Sequence, residues 1–242
     1  MRRPSSKHIN ASFGQKSRQY KFFLLLATLY ITALLATIPV AYRLVGLGHF
    51  ATVSASIFLF PITYTLGDII AEVYGYQAAR QVIWCAILAD LLFAFAVTGV
   101  IHIPSTSNSM HQAAFIFVLG SSIRLVLGGV LGILVGEFLN IYVLTKLKIL
   151  TRGRYFWLRS LGSSFIGEFL TLSVCIVIAF HGRKPFPTII KVICSMYVVE
   201  MCYLFIGVWP ASIIAFLLKR AEGVNVFDIG TTFNPFKYKI EE

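Results

Sequence analysis

The chain has 242 residues, 57% of them hydrophobic and only 13% charged, with a mean hydropathy of +0.80. A soluble domain of that composition would carry more apolar surface than it could hide, so the expected solvent is lipid. Six spans of about 20 residues with short loops fit this length and leave no room for a soluble catalytic domain. The formal net charge of +11 would suit a nucleic-acid binder, but the positive-inside rule produces the same excess in a membrane protein, so position along the chain decides.

Residues 1–21 form a basic arm with Arg2, Arg3, Lys7, Lys16, Arg18 and Lys21. The first apolar run, Phe22 to Tyr42, is too long for a signal-peptide core and no small-x-small cleavage site follows it, so a retained span is predicted. The second span is predicted from Phe50 to Glu72 and the third from Gln81 to Ile101, with Gly75 and Arg80 in a short turn. A loop from His102 to Gln112 without Lys or Arg leads to the apolar region Ala113 to Lys146. That region exceeds one span, which predicts a break at Gly120 and a fourth span from Ser121 to Thr145.

Lys146, Lys148, Arg152, Arg154 and Arg159 then mark a cytoplasmic loop. The fifth span is predicted over Ser160 to Phe180, an outer loop with Pro185 and Pro187 over His181 to Lys191, and the sixth span over Val192 to Leu218. Counted by side, sixteen positive charges fall with the termini and four (Arg43, Arg183, Lys184, Lys191) on the other side, with Arg124 inside a span. The predicted fold is an all-α integral membrane bundle: a cytoplasmic arm (1–21), a six-helix domain (22–220) and a cytoplasmic tail (221–242).

Six of the ten acidic residues, Asp68, Glu72, Asp90, Glu137, Glu168 and Glu200, fall within or at the ends of these spans. An ionised group at the bilayer centre costs about 2.5 to 3.5 kcal/mol, so each should face a cavity or a partner, with Arg80, Arg124 and Arg159 available for structural ion pairs. Gly136-Glu137-Phe138-Leu139-Asn140 is echoed 31 residues later by Gly167-Glu168-Phe169-Leu170-Thr171. Both glutamates lie roughly 13 Å from the predicted cytoplasmic boundary, so two carboxylates could face one cavity.

Arg124, Gly128, Gly132, Gly136 and Asn140 recur every four residues, as do Arg159, Ser163, Gly167 and Thr171, the pattern of closely packed membrane helices. Span two combines Pro61 and Gly67, expected to interrupt the helix, with Phe58, Phe60, Thr63, Tyr64 and Thr65. Aromatic faces beside carboxylates suit a flat heterocycle with N–H donors.

Cys85, Cys175, Cys194 and Cys202 lie in apolar runs without metal-ligand or disulfide spacing and are expected to pack or face lipid. His8, His49, His102, His111 and His181 lie at loops or ends. No nucleophile elbow, zinc-protease motif or nucleotide-binding glycine loop occurs, so no cofactor or metal is indicated.

The segment Phe60-Pro61-Ile62-Thr63-Tyr64-Thr65-Leu66-Gly67-Asp68-Ile69-Ile70-Ala71-Glu72-Val73-Tyr74-Gly75, followed by Ala78-Ala79-Arg80, resembles the queuosine-precursor transporters of the vitamin-uptake-transporter family. The likeness extends through spans four to six to the tail Phe227-Asp228-Ile229-Gly230-Thr231-Thr232-Phe233-Asn234-Pro235-Phe236. It implies a six-helix, S-component-like importer of 7-deazaguanines (the nitrile preQ0, the amine preQ1, or queuine) in a bacterial inner membrane. By position it marks Phe60, Pro61, Asp68, Glu72, Arg80 and the pairs Glu137 with Asn140 and Glu168 with Thr171.

With Thr63 and Glu200 from the polar pattern, the expected substrate-binding set is Phe60, Thr63, Asp68, Glu72, Arg80, Glu137, Asn140, Glu168, Thr171 and Glu200. The chain departs from the family pattern at the two pairs, where Gln and Asp are frequent, and near Glu200, where a Lys is frequent. The more acidic cavity favours a cationic compound.

Three functions compete: a solute importer with lipid and a small molecule as its partners and no nucleic acid; an S-component-like subunit for a vitamin that docks on an energising partner, with Thr28, Thr32 and Ala36 as a docking row; and an intramembrane enzyme, which the missing catalytic motifs disfavour. A homo-oligomer is left open.

Overall fold

The structure, a computed structural model, describes residues 20–41, 43–47, 51–104, 110–120 and 122–236. Most of the basic arm (Arg2, Arg3, Lys7, Lys16, Arg18, with His8), His49, and the final residues with Lys237 and Lys239 lie outside the described residues. The elements in chain order are α1 (Phe23–Val40), β1 (Leu44–Leu47), β2 (Ala51–Ser54), α2 (Phe60–Tyr74), α3 (Tyr76–Ile101), α4 (Met110–Leu119), α5 (Ser122–Gly132), a π-helical turn (Ile133–Glu137), α6 (Phe138–Leu150), α7 (Phe156–Phe180) and α8 (Phe186–Glu222). Six helical segments among the described residues are long and apolar enough to cross a membrane, with α4 to α6 forming one of them.

Several boundaries differ from the sequence expectation. Ala51 to Ser54 is a strand, paired antiparallel with β1, so the second span begins at Ala55 rather than Phe50. Pro61 stands in the first turn of α2, where its missing N–H and fixed φ are tolerated, and α2 then runs unbroken past Gly67 to Tyr74. The turn before α3 is Gly75 alone, at φ 88° and ψ 174°, a conformation closed to residues with a Cβ. Arg80 is therefore inside α3 rather than in a turn.

The break at Gly120 is borne out: α4 ends at Leu119 and the helix resumes at Ser122. Span five begins earlier than expected, at Phe156, and the predicted loop before span six is partly helical, because Pro187 opens α8 from within its first turn.

Tyr30, Leu34 and Ile38 of α1, Ile69, Ile70 and Val73 of α2, and Ile83 and Ala86 of α3 belong to one buried core that continues into α5, α6 and α8. A second cluster joins Val53 and Ile57 to Leu172 and Ile176 of α7 and Ile189 and Ile193 of α8, anchoring the β-hairpin on the bundle. The expected glycine rows form the α5–α7 seam. A Cβ built on Gly132 would stand 2.8 Å from the Thr171 carbonyl oxygen, one on Gly128 would stand 3.0 Å from that of Cys175, and one on Gly136 would collide with Thr171 Oγ1 and the Gly167 carbonyl. All four cysteines are free; Cys85, Cys194 and Cys202 face outward from the bundle.

The end carrying the α2–α3 turn and the α6–α7 loop is the basic end. Here Glu222 accepts the N–H groups of Lys21 (3.2 Å) and Phe22 (2.8 Å) and the Tyr74 hydroxyl (3.0 Å), placing a carboxylate at the N-terminus of α1. Residues 224–236 strap across this end. Asp228 Oδ2 accepts the Tyr76 N–H at 3.0 Å, and Tyr76 Oη donates to the Phe233 carbonyl at 3.1 Å. Arg80 donates to the Asn234 carbonyl at 3.0 Å and Trp84 Nε1 to that of Pro235 at 2.8 Å. Burial pushes the Asp228 carboxyl above the usual carboxylate range, although the Tyr76 N–H, Lys148 and Thr231 pull the other way.

Candidate functional site

Phe60, Tyr64, Asp68 and Glu72 follow one another at four-residue spacing, so they share one face of α2 and run as a stripe from mid-bundle to the basic end. Each meets a different set of partners. Together they divide the interior into an ionic layer, a neutral polar layer, an acidic layer and an open cavity.

The ionic layer centres on Glu72, which is 1% exposed. Its carboxylate takes a two-point contact from Arg159 of α7, Nη1 to Oε2 at 2.8 Å and Nη2 to Oε1 at 3.0 Å, and a further bond from Lys219 of α8. Lys148 of α6 donates to the Glu72 backbone carbonyl and to that of Val226 in the tail, with its ammonium 5.0 Å from the Phe227 ring centre. Four helices and the tail thus converge on one residue, with α7 and α8 bonded to its carboxylate and α6, bridging to the tail, bonded to its backbone carbonyl. Such a paired, bidentate geometry lets the charges tolerate burial.

Asp68, one turn further in, is held by neutral donors. Asn140 Nδ2 donates to Oδ1 at 2.8 Å; Ser160 Oγ donates to Oδ2, and Ser164 Oγ reaches the same oxygen at 3.5 Å. Ser164 also approaches Asn140 Oδ1 at 3.4 Å.

The next layer is acidic. Glu137 sits on the π-helical turn, a departure from the α-helix that is frequent at functional sites. Its Oε1 passes so close to Gly67 that a Cβ there would stand 2.6 Å away, and this oxygen has no hydrogen-bond partner among the described residues. The Tyr64 hydroxyl lies beside Glu137 and 2.6 Å from Thr171 Oγ1, which also faces the Gly167 and Gly132 carbonyls at 3.1 and 3.3 Å. Glu168 lies against Glu200 of α8, and no oxygen of either carboxyl accepts a hydrogen bond from another group among the described residues. Glu137, Glu168 and Glu200 are each 1% exposed or less.

Beyond this layer a cavity of about 330 Å³ extends toward the hairpin end. Phe60, Asp90, Ile133, Thr171 and Glu200 line its inner part; Ser54, Ser56, Lys184 and Thr188 line its mouth. Most of the remaining wall is apolar, which suits a flat, partly apolar solute.

Of the ten expected residues, the structure places Phe60, Thr171 and Glu200 at the cavity and Glu137 and Glu168 just beneath its floor. Asp68 and Asn140 bond to each other one layer deeper. Glu72 is committed to Arg159 and Lys219, Arg80 to the tail, and the buried Thr63 hydroxyl returns to the Phe60 carbonyl at 2.7 Å. Arg159 alone of the three candidate arginines pairs with an intramembrane acid; Arg124 donates to the Ile178 and His181 carbonyls at the end of α7. Sequence reasoning did not bring Tyr64, Ser160, Ser164, Lys148, Lys219 or Asp90 into the set, although the four-residue spacing from Phe60 to Glu72 pointed at Tyr64.

A bundle of six segments long and apolar enough to cross a membrane, around a polar interior sealed at one end and hollow at the other, defines a multi-pass membrane protein with an internal cavity. Residues 54–227 match the family model described as "Putative vitamin uptake transporter", and the chain belongs to that family of membrane transporters. It is 27% identical over 169 residues, covering 62% of this chain and 74% of the relative, to a protein of Bacillus subtilis (strain 168) named "Probable queuosine precursor transporter". No solved structure matches. The resemblance seen in the α2 motif thus holds for the family, and the matched region contains all ten expected residues.

Proposed function

We propose that this protein imports a queuosine precursor across a bacterial inner membrane, and that the preferred form is a cationic aminomethyl 7-deazaguanine. The solute arrives from the hairpin end, binds at the cavity floor and leaves at the basic end, which faces the cytoplasm together with both termini. One observation carries this reading: the cavity ends over buried carboxyl groups for which the described protein supplies no cation, while Arg159, Lys219 and Lys148 are spent on the ionic layer. Buried acids with no cation beside them suit a positive or N–H-rich guest.

The Glu72 layer and the tail strap stand between the cavity and the basic end, so passage requires them to part. Rocking of α7 and α8 against α2 and α6 would do this, since those helices carry the opposing members of the layer. The similarity to the Bacillus subtilis protein supports the substrate class.

A deletion strain fed the amine, the nitrile or queuine provides the test, read as queuosine in its tRNA. The deletion is expected to abolish rescue by the external precursor. Glu137→Gln and Glu168→Gln are expected to slow uptake of the amine about tenfold, the equivalent of roughly 1.4 kcal/mol, and that of the neutral nitrile less. Unchanged tRNA modification in the deletion strain would remove the substrate assignment, and equal uptake of amine and nitrile would remove the charge preference. Accumulation by the purified chain alone in liposomes would establish an independent importer; dependence on an added ATPase would establish the S-component alternative.

A further inference from the structure

We propose that Asp90, outside the family-marked residues, is the direct anchor for a ligand's ammonium group at the cavity floor. This deepens the reading of the cavity as a site for a cationic solute. Asp90 stands on α3, across the bundle from the α7 and α8 acids, and is 4% exposed. It lines the cavity, and its Oδ1 has no hydrogen-bond partner among the described residues.

Its own helix offers no such partner. The positions one turn away on the same face are Ala86 and Ala94, both buried, so no side chain from α3 reaches over the carboxyl. From α1 the buried Tyr30 lies nearby, and α5 presents Val126 and Gly129 to the cavity; none of these carries a positive charge. Arg124 is held by two carbonyls of the α7 terminus, and Lys184 sits exposed at the mouth.

Glu200, the other acid on the cavity wall, is set against Glu168. Asp90 is therefore the acid that meets a guest without a competing carboxyl beside it. A carboxylate and an ammonium brought together in a water-poor site form the stronger, charge-assisted kind of hydrogen bond. An amine ligand would then gain from Asp90 what its neutral isostere could not.

Binding to the purified full-length protein tests this with two matched pairs: aminomethyl deazaguanine against its nitrile analogue, and benzylamine against benzonitrile. In the wild type each amine is expected to bind more tightly than its nitrile. Asp90→Asn is expected to raise Kd for the amines about tenfold while leaving the nitriles within about twofold, and Asp90→Glu is expected to restore part of the preference. Equal changes for amine and nitrile, no change for either, or no amine preference in the wild type would overturn the assignment. If neither deazaguanine binds but Asp90→Asn erases a preference for benzylamine, the anchor stands and the proposed substrate falls.

Discussion

Arg159→Ala is expected to be among the most damaging single substitutions in the molecule. It removes both guanidinium bonds to Glu72 and the Arg159 Nε bond to the Arg154 carbonyl, leaving Glu72, 1% exposed, with Lys219 as its one side-chain hydrogen-bond partner among the described residues. Breaking one side of a buried pair costs about 3 to 5 kcal/mol because the remaining charge stays desolvated. Detergent-solubilised protein should show a lowered melting temperature and reduced yield. The paired change Arg159→Met with Glu72→Gln should recover much of that stability, since it removes both charges together. If the layer closes the transport path, the double variant will fold and yet leak or fail to transport. Wild-type stability in Arg159→Ala would show that the contact contributes little.

Gly136→Val is expected to do comparable harm by a different route. Here the π-helical turn that follows α5 approaches α7 so closely that even a Cβ would strike Thr171 Oγ1 and the Gly167 carbonyl, with the Thr171 nitrogen at 2.7 Å. These are parts of α7 itself and of the hydroxyl that bonds Tyr64, so no flexible chain end can swing aside. Overpacking of this kind costs about 1 to 3 kcal/mol where the structure can adjust, and more where backbone is the obstacle. The same displacement would move Glu137, the next residue. Gly129→Ala serves as the control, because its Cβ meets nothing within 4 Å; the two variants should differ sharply in folded yield, and equal yields would contradict the seam.

The spans were legible because hydrocarbon thickness imposes a length on any run that crosses it. Their ends were less so. Gly75 and Arg80 suggested a turn spanning both, but the single glycine with positive φ reverses the chain and leaves Arg80 inside α3, where it bonds the tail. The hairpin escaped notice because its two four-residue strands pair only with each other, too short a pattern to stand out beside an apolar span.

The acids were visible as anomalies in lipid, yet sequence could not say which would be neutralised. Glu72 and Arg159 meet across 87 residues, a pairing no local spacing announces. Lys148 read as part of a cytoplasmic loop and instead lies buried under the tail. Asp90 was counted among the acids in the spans, but it has no echo elsewhere in the chain to place it in the binding set; only the folding of α3 brings it to the cavity.

The 37 residues of α8 make a rod of about 55 Å at 1.5 Å per residue, nearly twice the depth of the oily slab it crosses. Even its stretch between Lys191 and Lys219, which holds no basic residue, is about 40 Å long and would need to lean by roughly 40° to fit. Such a rod does not sit indifferently in every bilayer: thin membranes force a steeper lean or strand apolar turns in water, and thick ones relieve it. Transport rates measured across a series of lipid acyl-chain lengths should consequently rise toward the longer chains.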